Sequence, residues 1–177
     1  KSKQLGGALV LASSPKSKYD FRLLLNYYKS TINELKIPIV VDKTASWENI
    51  EKEDFDSIVI ATGSVPIKPK IKGISSKNVL SFEDVYLDKI KFTNKAITIL
   101  GGGLVGYESA YLLSKLNQVN VVDINNVFLQ GSYHVNRDYL SKIHKEQKVE
   151  YIEAKKIVEI SNSSVIIENI HGKIESI

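Results

Sequence analysis

A glycine-rich turn between two short apolar runs constrains the fold of this chain more than any other sequence feature. The pattern G-x-G-x-x-G follows a predicted strand over residues 96–100, opens a predicted helix that ends near residue 116, and precedes a second predicted strand over residues 119–123. The pattern consists of Gly101, Gly102, Gly103, Leu104, Val105 and Gly106. A strand, a glycine turn, a helix and a second strand form the unit that binds dinucleotides. The sequence therefore predicts an α/β fold with Rossmann-like parallel sheets.

Each spaced glycine of this pattern has a physical role. Gly101 permits the tight turn out of the strand, Gly103 leaves room for a pyrophosphate to approach the backbone, and Gly106 lets the helix pack closely on the strand. The exposed amides at the start of the helix, aided by the helix dipole, then bind the phosphates. We therefore predict a nucleotide site at the glycine turn.

The acid at the end of the second strand favours NADH as the nucleotide. Asp123 lies 22 residues after Gly101, close to the spacing of about 20 at which an acid accepts hydrogen bonds from the adenosine ribose. Its carboxylate would repel the 2′-phosphate of NADPH. The alternative is a glycine turn that serves only helix–strand packing, with Asp123 capping the strand end.

The remaining elements complete an α/β pattern with a small antiparallel β tail. Apolar residues at steps of three and four predict a helix over residues 19–36, and a capping box from Ser81 to Asp84 predicts a short helix through Leu87. Further predicted elements are strands at 37–41 and 56–61, a helix at 138–146, and strands at 156–160, 164–168 and 173–177, with a turn at 169–172.

Composition limits the chemistry available to these 177 residues. The chain has no cysteine, which excludes disulfides, thiolate metal sites and a Cys-ligated iron–sulfur cluster within it and fits a cytoplasmic protein. Lysines and acids are interspersed at a net charge of +4, so we expect no nucleic-acid partner. No apolar run approaches about 18 residues, so we expect no membrane partner. The oligomeric state stays open.

Three segments carry a resemblance to a known family. Residues 97–123, with GGGLVGYE at 101–108, resemble the NAD(P)H-binding domain of two-dinucleotide flavoproteins, and residues 56–66 (DSIVIATGSVP) resemble their "ATG" stretch. Residues 6–12 (GGALVLA), followed by Pro15, Lys18 and Phe21, are similar to a segment of the NADH:flavin oxidoreductases. That family includes 2,4-dienoyl-CoA reductase, 2-enoate reductase and trimethylamine dehydrogenase.

The resemblance implies that this chain is a piece of a larger flavoprotein. Members are similar in having an FMN-binding barrel, a [4Fe–4S] cluster and a pair of nucleotide domains, so FMN and the cluster are expected only in other parts of the parent protein. Residues 1–70 then correspond to a partial FAD-binding domain, residues 71–95 to a connection, and residues 96–177 to a partial NAD(P)H-binding domain. The chain is expected to begin after the FAD glycine motif and to stop before a third nicotinamide-domain strand.

The resemblance also assigns site residues that no motif identifies. It implies that Ala61, Thr62 and Gly63 pass close to the flavin, and that Glu108 lies near the nicotinamide–flavin junction. The alternatives are a strand-terminating turn and an acid favoured near a helix N-terminus. His134, His144 and His171 share no metal-ligand spacing, and each is interpreted as a surface residue. No catalytic acid, base or metal site is predicted.

The implied function is that of the NADH- and FAD-binding portion of a flavin oxidoreductase. Hydride would pass from NADH to FAD, and electrons would then reduce an enoate or enoyl-CoA type acceptor through the FMN and iron–sulfur parts; this segment alone is expected to be inactive. Another pyridine nucleotide-disulfide oxidoreductase, an NADH oxidase or a dehydrogenase without flavin are the other enzyme hypotheses. A nucleotide-responsive binding module is the non-enzyme hypothesis.

Overall fold

The computed structural model describes residues 3–177. These residues divide into two compact units, one up to Pro66 and one from Ile67 onward, and each unit is described by itself.

The first unit is helical where the structure assigns regular elements. It contains α1 (Ala8–Ala12), α2 (Tyr19–Glu34) and α3 (Trp47–Ile50). The predicted helix over residues 19–36 is confirmed as α2. It stops two residues earlier than predicted because Lys36 adopts a left-handed conformation with φ 53°, and the amide of Ile37 turns back to the carbonyl of Ile32 at 3.1 Å.

Both strands predicted in the first unit are wrong. Residues 37–41 and 56–61 are irregular, and no strand partner is present for either run in the described part of the unit. Val59 and Ile60 are 87% and 84% exposed. An extended run becomes a strand only when a neighbouring strand takes up its backbone hydrogen bonds, so β-rich composition alone does not suffice. The parallel sheet of this chain is confined to the second unit.

The second unit contains the predicted Rossmann-like layer. Its parallel sheet has the order β1 (Ala96–Leu100), β2 (Gln118–Val122) and β3 (Glu150–Ile152). Ala96 lies opposite Gln118 and Asn120 lies opposite Glu150. Two helices, α5 (Leu104–Leu113) and α6 (His134–Glu146), connect these strands. The predicted helix from the glycine turn is confirmed but ends three residues early, and α6 begins four residues before its predicted start.

The antiparallel tail is also confirmed. Its strands β4 (Lys155–Ile160), β5 (Val165–Asn169) and β6 (Ile174–Ser176) form a separate antiparallel sheet, and the amide of Gly172 donates to the carbonyl of Asn169 at 3.0 Å in the predicted turn.

The predicted capping box is confirmed and begins α4 (Phe82–Tyr86). The Ser81 amide donates to Asp84 Oδ2 at 3.2 Å, and the Asp84 amide donates to Ser81 Oγ at 3.4 Å.

Two apolar clusters hold the second unit together. The larger one lies between the parallel sheet, α5 and α6, and it consists of Tyr107, Ala110, Val119, Val121, Phe128, Leu129, Leu140 and Val149. The smaller one joins the end of β2 to the antiparallel sheet and consists of Val122, Ile157, Ile160 and Ile167. Ile71, Ile74 and Val79, from the segment interpreted as a connection, pack on this second cluster.

Of the helices within residues 3–177, none combines the length and apolar character needed to cross a bilayer.

Candidate dinucleotide-binding site

The glycine turn lies directly at the carboxyl end of β1. Gly101 has φ 102°, a backbone conformation that favours glycine, and its amide donates to the carbonyl of Val122 at 2.9 Å. The chain therefore leaves the strand sharply while it remains attached to β2. α5 then begins with Gly103 as its N-cap.

Space is open above Gly103. Apart from Gly103 itself and its two chain neighbours, no described atom lies within 4 Å of a Cβ built on this residue, and Gly103 is exposed. The first amides of an α-helix have no partner within the helix, and here they belong to a segment in which Leu104 and Val105 are 41% and 46% exposed. An anion can therefore approach the backbone at this corner.

Gly102 and Gly106 face the protein interior. A Cβ on Gly102 would overlap the ring of Phe128, whereas a Cβ on Gly106 would overlap the carbonyl oxygen of Gly101 and lie 3.5 Å from Ile99 Cγ2. The absence of side chains at these two positions allows the turn and the helix to lie against their neighbours.

Asp123 follows β2 and contacts the glycine turn. Its Oδ2 accepts a hydrogen bond from the Gly102 amide at 2.6 Å, and its Oδ1 accepts from the Asn125 amide at 2.7 Å and from Asn125 Nδ2 at 2.9 Å. Its own amide donates to Ile152 at 3.1 Å, which fixes it to β3. The structure thus brings the predicted acid to the predicted turn, where it also caps the turn as the alternative interpretation expects.

Glu108 lies one turn into α5, half-buried, and accepts a hydrogen bond from the Tyr86 hydroxyl at 2.7 Å. Burial and this hydrogen bond raise the pKa of Tyr86. Sequence reasoning did not find Tyr86, because no local signal links two residues that are 22 positions apart.

Ala61, Thr62 and Gly63 lie in the first unit. All three are exposed, and Gly63 has φ 76°. They do not end a strand, because residues 56–61 form none.

A buried aromatic cluster beside the site was also missed. Tyr107 of α5 has its ring 5.0 Å from that of Tyr151 and 4.9 Å from that of His144, between ring centroids. His144 is fully buried, so its interpretation as a surface residue is wrong. Its Nδ1 pairs with the Tyr151 hydroxyl, and burial lowers the pKa of His144 to about 4. The position of His144 four residues after Leu140, on the buried face of α6, was the available signal.

These observations fit a dinucleotide at the turn. Open space over Gly103, the start of a helix and a carboxylate at the next strand end are the features that a diphosphate and an adenosine ribose require. The arrangement can bind and orient a nucleotide whose own chemistry does the work.

Comparisons with known proteins identify the family of the chain. The family model described as pyridine nucleotide-disulphide oxidoreductase matches residues 9–176. Cinnamate reductase from Clostridium sporogenes is 33% identical over 177 residues, with 98% of this chain and 26% of that protein covered. Bilirubin reductase from Mediterraneibacter gnavus is 30% identical over 175 residues, with 98% of this chain and 27% of that protein covered.

A solved structure shows the same relationship. The complex of 2-naphthoyl-CoA reductase with 2-naphthoyl-CoA superposes with a TM-score of 0.82 at 27% identity, covering 100% of this chain and 27% of that one. The chain thus spans about a quarter of the length of the relatives that it matches. These relatives confirm the resemblance to the enoate reductase group of flavin oxidoreductases and the α/β flavoprotein fold. The chain belongs to the pyridine nucleotide-disulphide oxidoreductase family, an enzyme family whose members bind FAD and NAD(P)H.

Proposed function

We propose that this chain is the NADH-binding portion of a flavin oxidoreductase. The observation that carries this proposal is the open corner at Gly103, which lies at the start of α5 and next to the Gly102 amide that the Asp123 carboxylate binds. Amides and the positive end of a helix dipole attract a diphosphate. The main-chain groups of residues 103–106 would therefore hold the pyrophosphate of NADH.

Asp123 would select NADH over NADPH. A carboxylate has about four lone-pair sites, and the hydrogen bonds from Gly102 and Asn125 use three of them. Capacity for one ribose hydroxyl remains, and Asn125 and Gly102 already fix the direction of the carboxylate. A 2′-phosphate at the same place would meet a fixed negative charge and lose the hydroxyl donor, which disfavours NADPH.

When bound, NADH supplies a hydride, and FAD in the intact enzyme is its acceptor. This chain's residues would bind and orient the dinucleotide without acting as acid or base. Ala61, Thr62 and Gly63 would contribute exposed backbone beside the flavin once the parent protein completes that domain. The relatives' names, cinnamate reductase and 2-naphthoyl-CoA reductase, support an unsaturated carboxylate or acyl-CoA as the final acceptor. FMN and an iron–sulfur cluster elsewhere in a cytoplasmic parent protein would carry the electrons.

Titration of the purified protein with NADH and with NADPH tests this proposal. Hydrogen bonds to charged groups contribute about 1.5–3 kcal/mol, so Asp123→Ala should weaken NADH binding roughly 10- to 150-fold and reduce the preference over NADPH. Asp123→Asn keeps an acceptor oxygen for the turn and should also lose that preference. Asp138→Ala removes an exposed carboxylate from α6 and serves as the matched control. If NADPH binds the unmutated protein as tightly as NADH, the role given to Asp123 is wrong.

A further inference from the structure

A short helix outside the glycine motif holds one of the candidate site residues. Tyr86, the last residue of α4, is 6% exposed, and its hydroxyl donates to Glu108 Oε2 at 2.7 Å. Burial and the carboxylate raise the pKa of Tyr86, so the hydroxyl stays protonated and remains a donor. The hydrogen bond joins the segment before β1 to the helix that follows it.

α4 is well fixed for an element of five residues. The capping box between Ser81 and Asp84 begins it, and Lys89 Nζ contacts Asp84 Oδ1 at 3.1 Å beyond its end. The rings of Phe82 and Tyr86 meet edge to face at 5.8 Å between centroids. Tyr86 therefore presents its hydroxyl from a defined position.

Glu108 and Tyr107 project from α5 in different directions. Consecutive helical residues are separated by about 100° around the axis. Tyr107 packs on Tyr151 of β3 and on His144 of α6. The amide of Asp123 is hydrogen-bonded to β3 as well, so Tyr107 and Asp123 lie on the β3 side. Glu108, in contrast, contacts α4. If the adenosine ribose lies at Asp123 and the diphosphate at Gly103, the other half of the dinucleotide extends away from Asp123, toward the side of Glu108.

We propose that Tyr86 is a positioning residue that holds the Glu108 carboxylate toward the nicotinamide half of bound NADH. This inference depends on the proposed function. A carboxylate can accept a hydrogen bond from the amide nitrogen of the nicotinamide carboxamide group, since its two oxygens together offer about four lone-pair sites. A fixed carboxylate loses less conformational entropy when the nucleotide binds.

Binding of NADH and of ADP-ribose to the intact protein, measured by calorimetry, separates this role from a merely structural one. ADP-ribose contains the adenosine and the diphosphate but lacks the nicotinamide. Tyr86→Phe and Glu108→Gln should each weaken NADH binding about tenfold and leave ADP-ribose binding within about twofold. The double variant should bind NADH no more weakly than Glu108→Gln does, because the two changes remove the same interaction.

Tyr111→Phe provides the matched control. Tyr111 lies on the same helix, packs against the core and has Lys115 Nζ 4.7 Å from its ring centroid, so this variant removes a hydroxyl from α5 at another position. If Tyr86→Phe binds NADH as tightly as Tyr111→Phe does, the proposal is overturned. Equal weakening of NADH and ADP-ribose would also overturn it, because the residue would then act on the fold. Glu108→Gln gives the same test if Tyr86→Phe does not fold. Failure of the unmutated protein to bind either ligand would overturn the proposed function itself.

Discussion

Alanine at two glycines of the same turn should separate nucleotide binding from folding. Gly103 has φ −75° and ψ −178°, an extended conformation open to any residue, and its Cβ would point into open space. Gly106 lies inside α5, and its Cβ would overlap the backbone carbonyl of Gly101. The two substitutions add the same methyl group three residues apart, yet the structure predicts opposite consequences.

The magnitudes follow from these surroundings. Gly103→Ala should stabilise the fold by up to about 0.4–1 kcal/mol, because it reduces the freedom of the unfolded chain without strain. Gly106→Ala gains about 1 kcal/mol of helix propensity, but overpacking against immobile backbone costs about 1–3 kcal/mol or more. Because the contact is with backbone that cannot move aside, the clash prevails, and we expect a net loss of up to about 2 kcal/mol. Only Gly103→Ala places a methyl group where the pyrophosphate would lie, and it should weaken NADH binding about 10- to 100-fold.

Urea unfolding and NADH titration of both variants make this comparison. The expected result is a Gly103→Ala protein that folds at least as stably as the unmutated one and binds NADH poorly, and a Gly106→Ala protein with a lower unfolding midpoint. A Gly103→Ala protein that binds NADH with unchanged affinity would show that the diphosphate does not cross that residue.

The aromatic cluster gives two further predictions. Burial lowers the pKa of His144 to about 4, below its usual value near 6.5, so the unfolded chain binds this proton more tightly than the folded protein does. The free energy of unfolding should therefore fall by up to about 3 kcal/mol as the pH drops from 6.5 to 4. Urea unfolding should find this pH dependence reduced in His144→Gln and retained in His171→Gln. Tyr151→Phe leaves the buried Nδ1 of His144 without its hydroxyl partner and should cost about 1–3 kcal/mol of unfolding free energy, whereas the same change at Tyr139, 61% exposed, should leave it unaltered.

Local determinants made the nucleotide unit predictable. The strand before Gly101, the glycine turn and the helix after it are each specified within a few residues, and the capping box at Ser81 is complete within four. The antiparallel tail was predictable because the turn ending at Gly172 separates two β-rich runs. In these segments the local preferences and the tertiary contacts agree.

Features that depend on distant partners were not predictable in this way. Residues 37–41 and 56–61 have β-rich composition, but a strand requires a neighbour that sequence pattern cannot supply. The Tyr86–Glu108 hydrogen bond joins two helices, one before and one after β1 along the chain. His144 resembles a polar surface residue until Tyr107 and Tyr151 enclose it. Each case depends on which elements meet in three dimensions.

A crystal structure of the protein grown with NADH would show where the nucleotide binds. We expect the pyrophosphate over Gly103, hydrogen-bonded by the first amides of α5, with an adenosine ribose hydroxyl on Asp123. NADH bound elsewhere, with the glycine turn empty at saturating nucleotide, would contradict it.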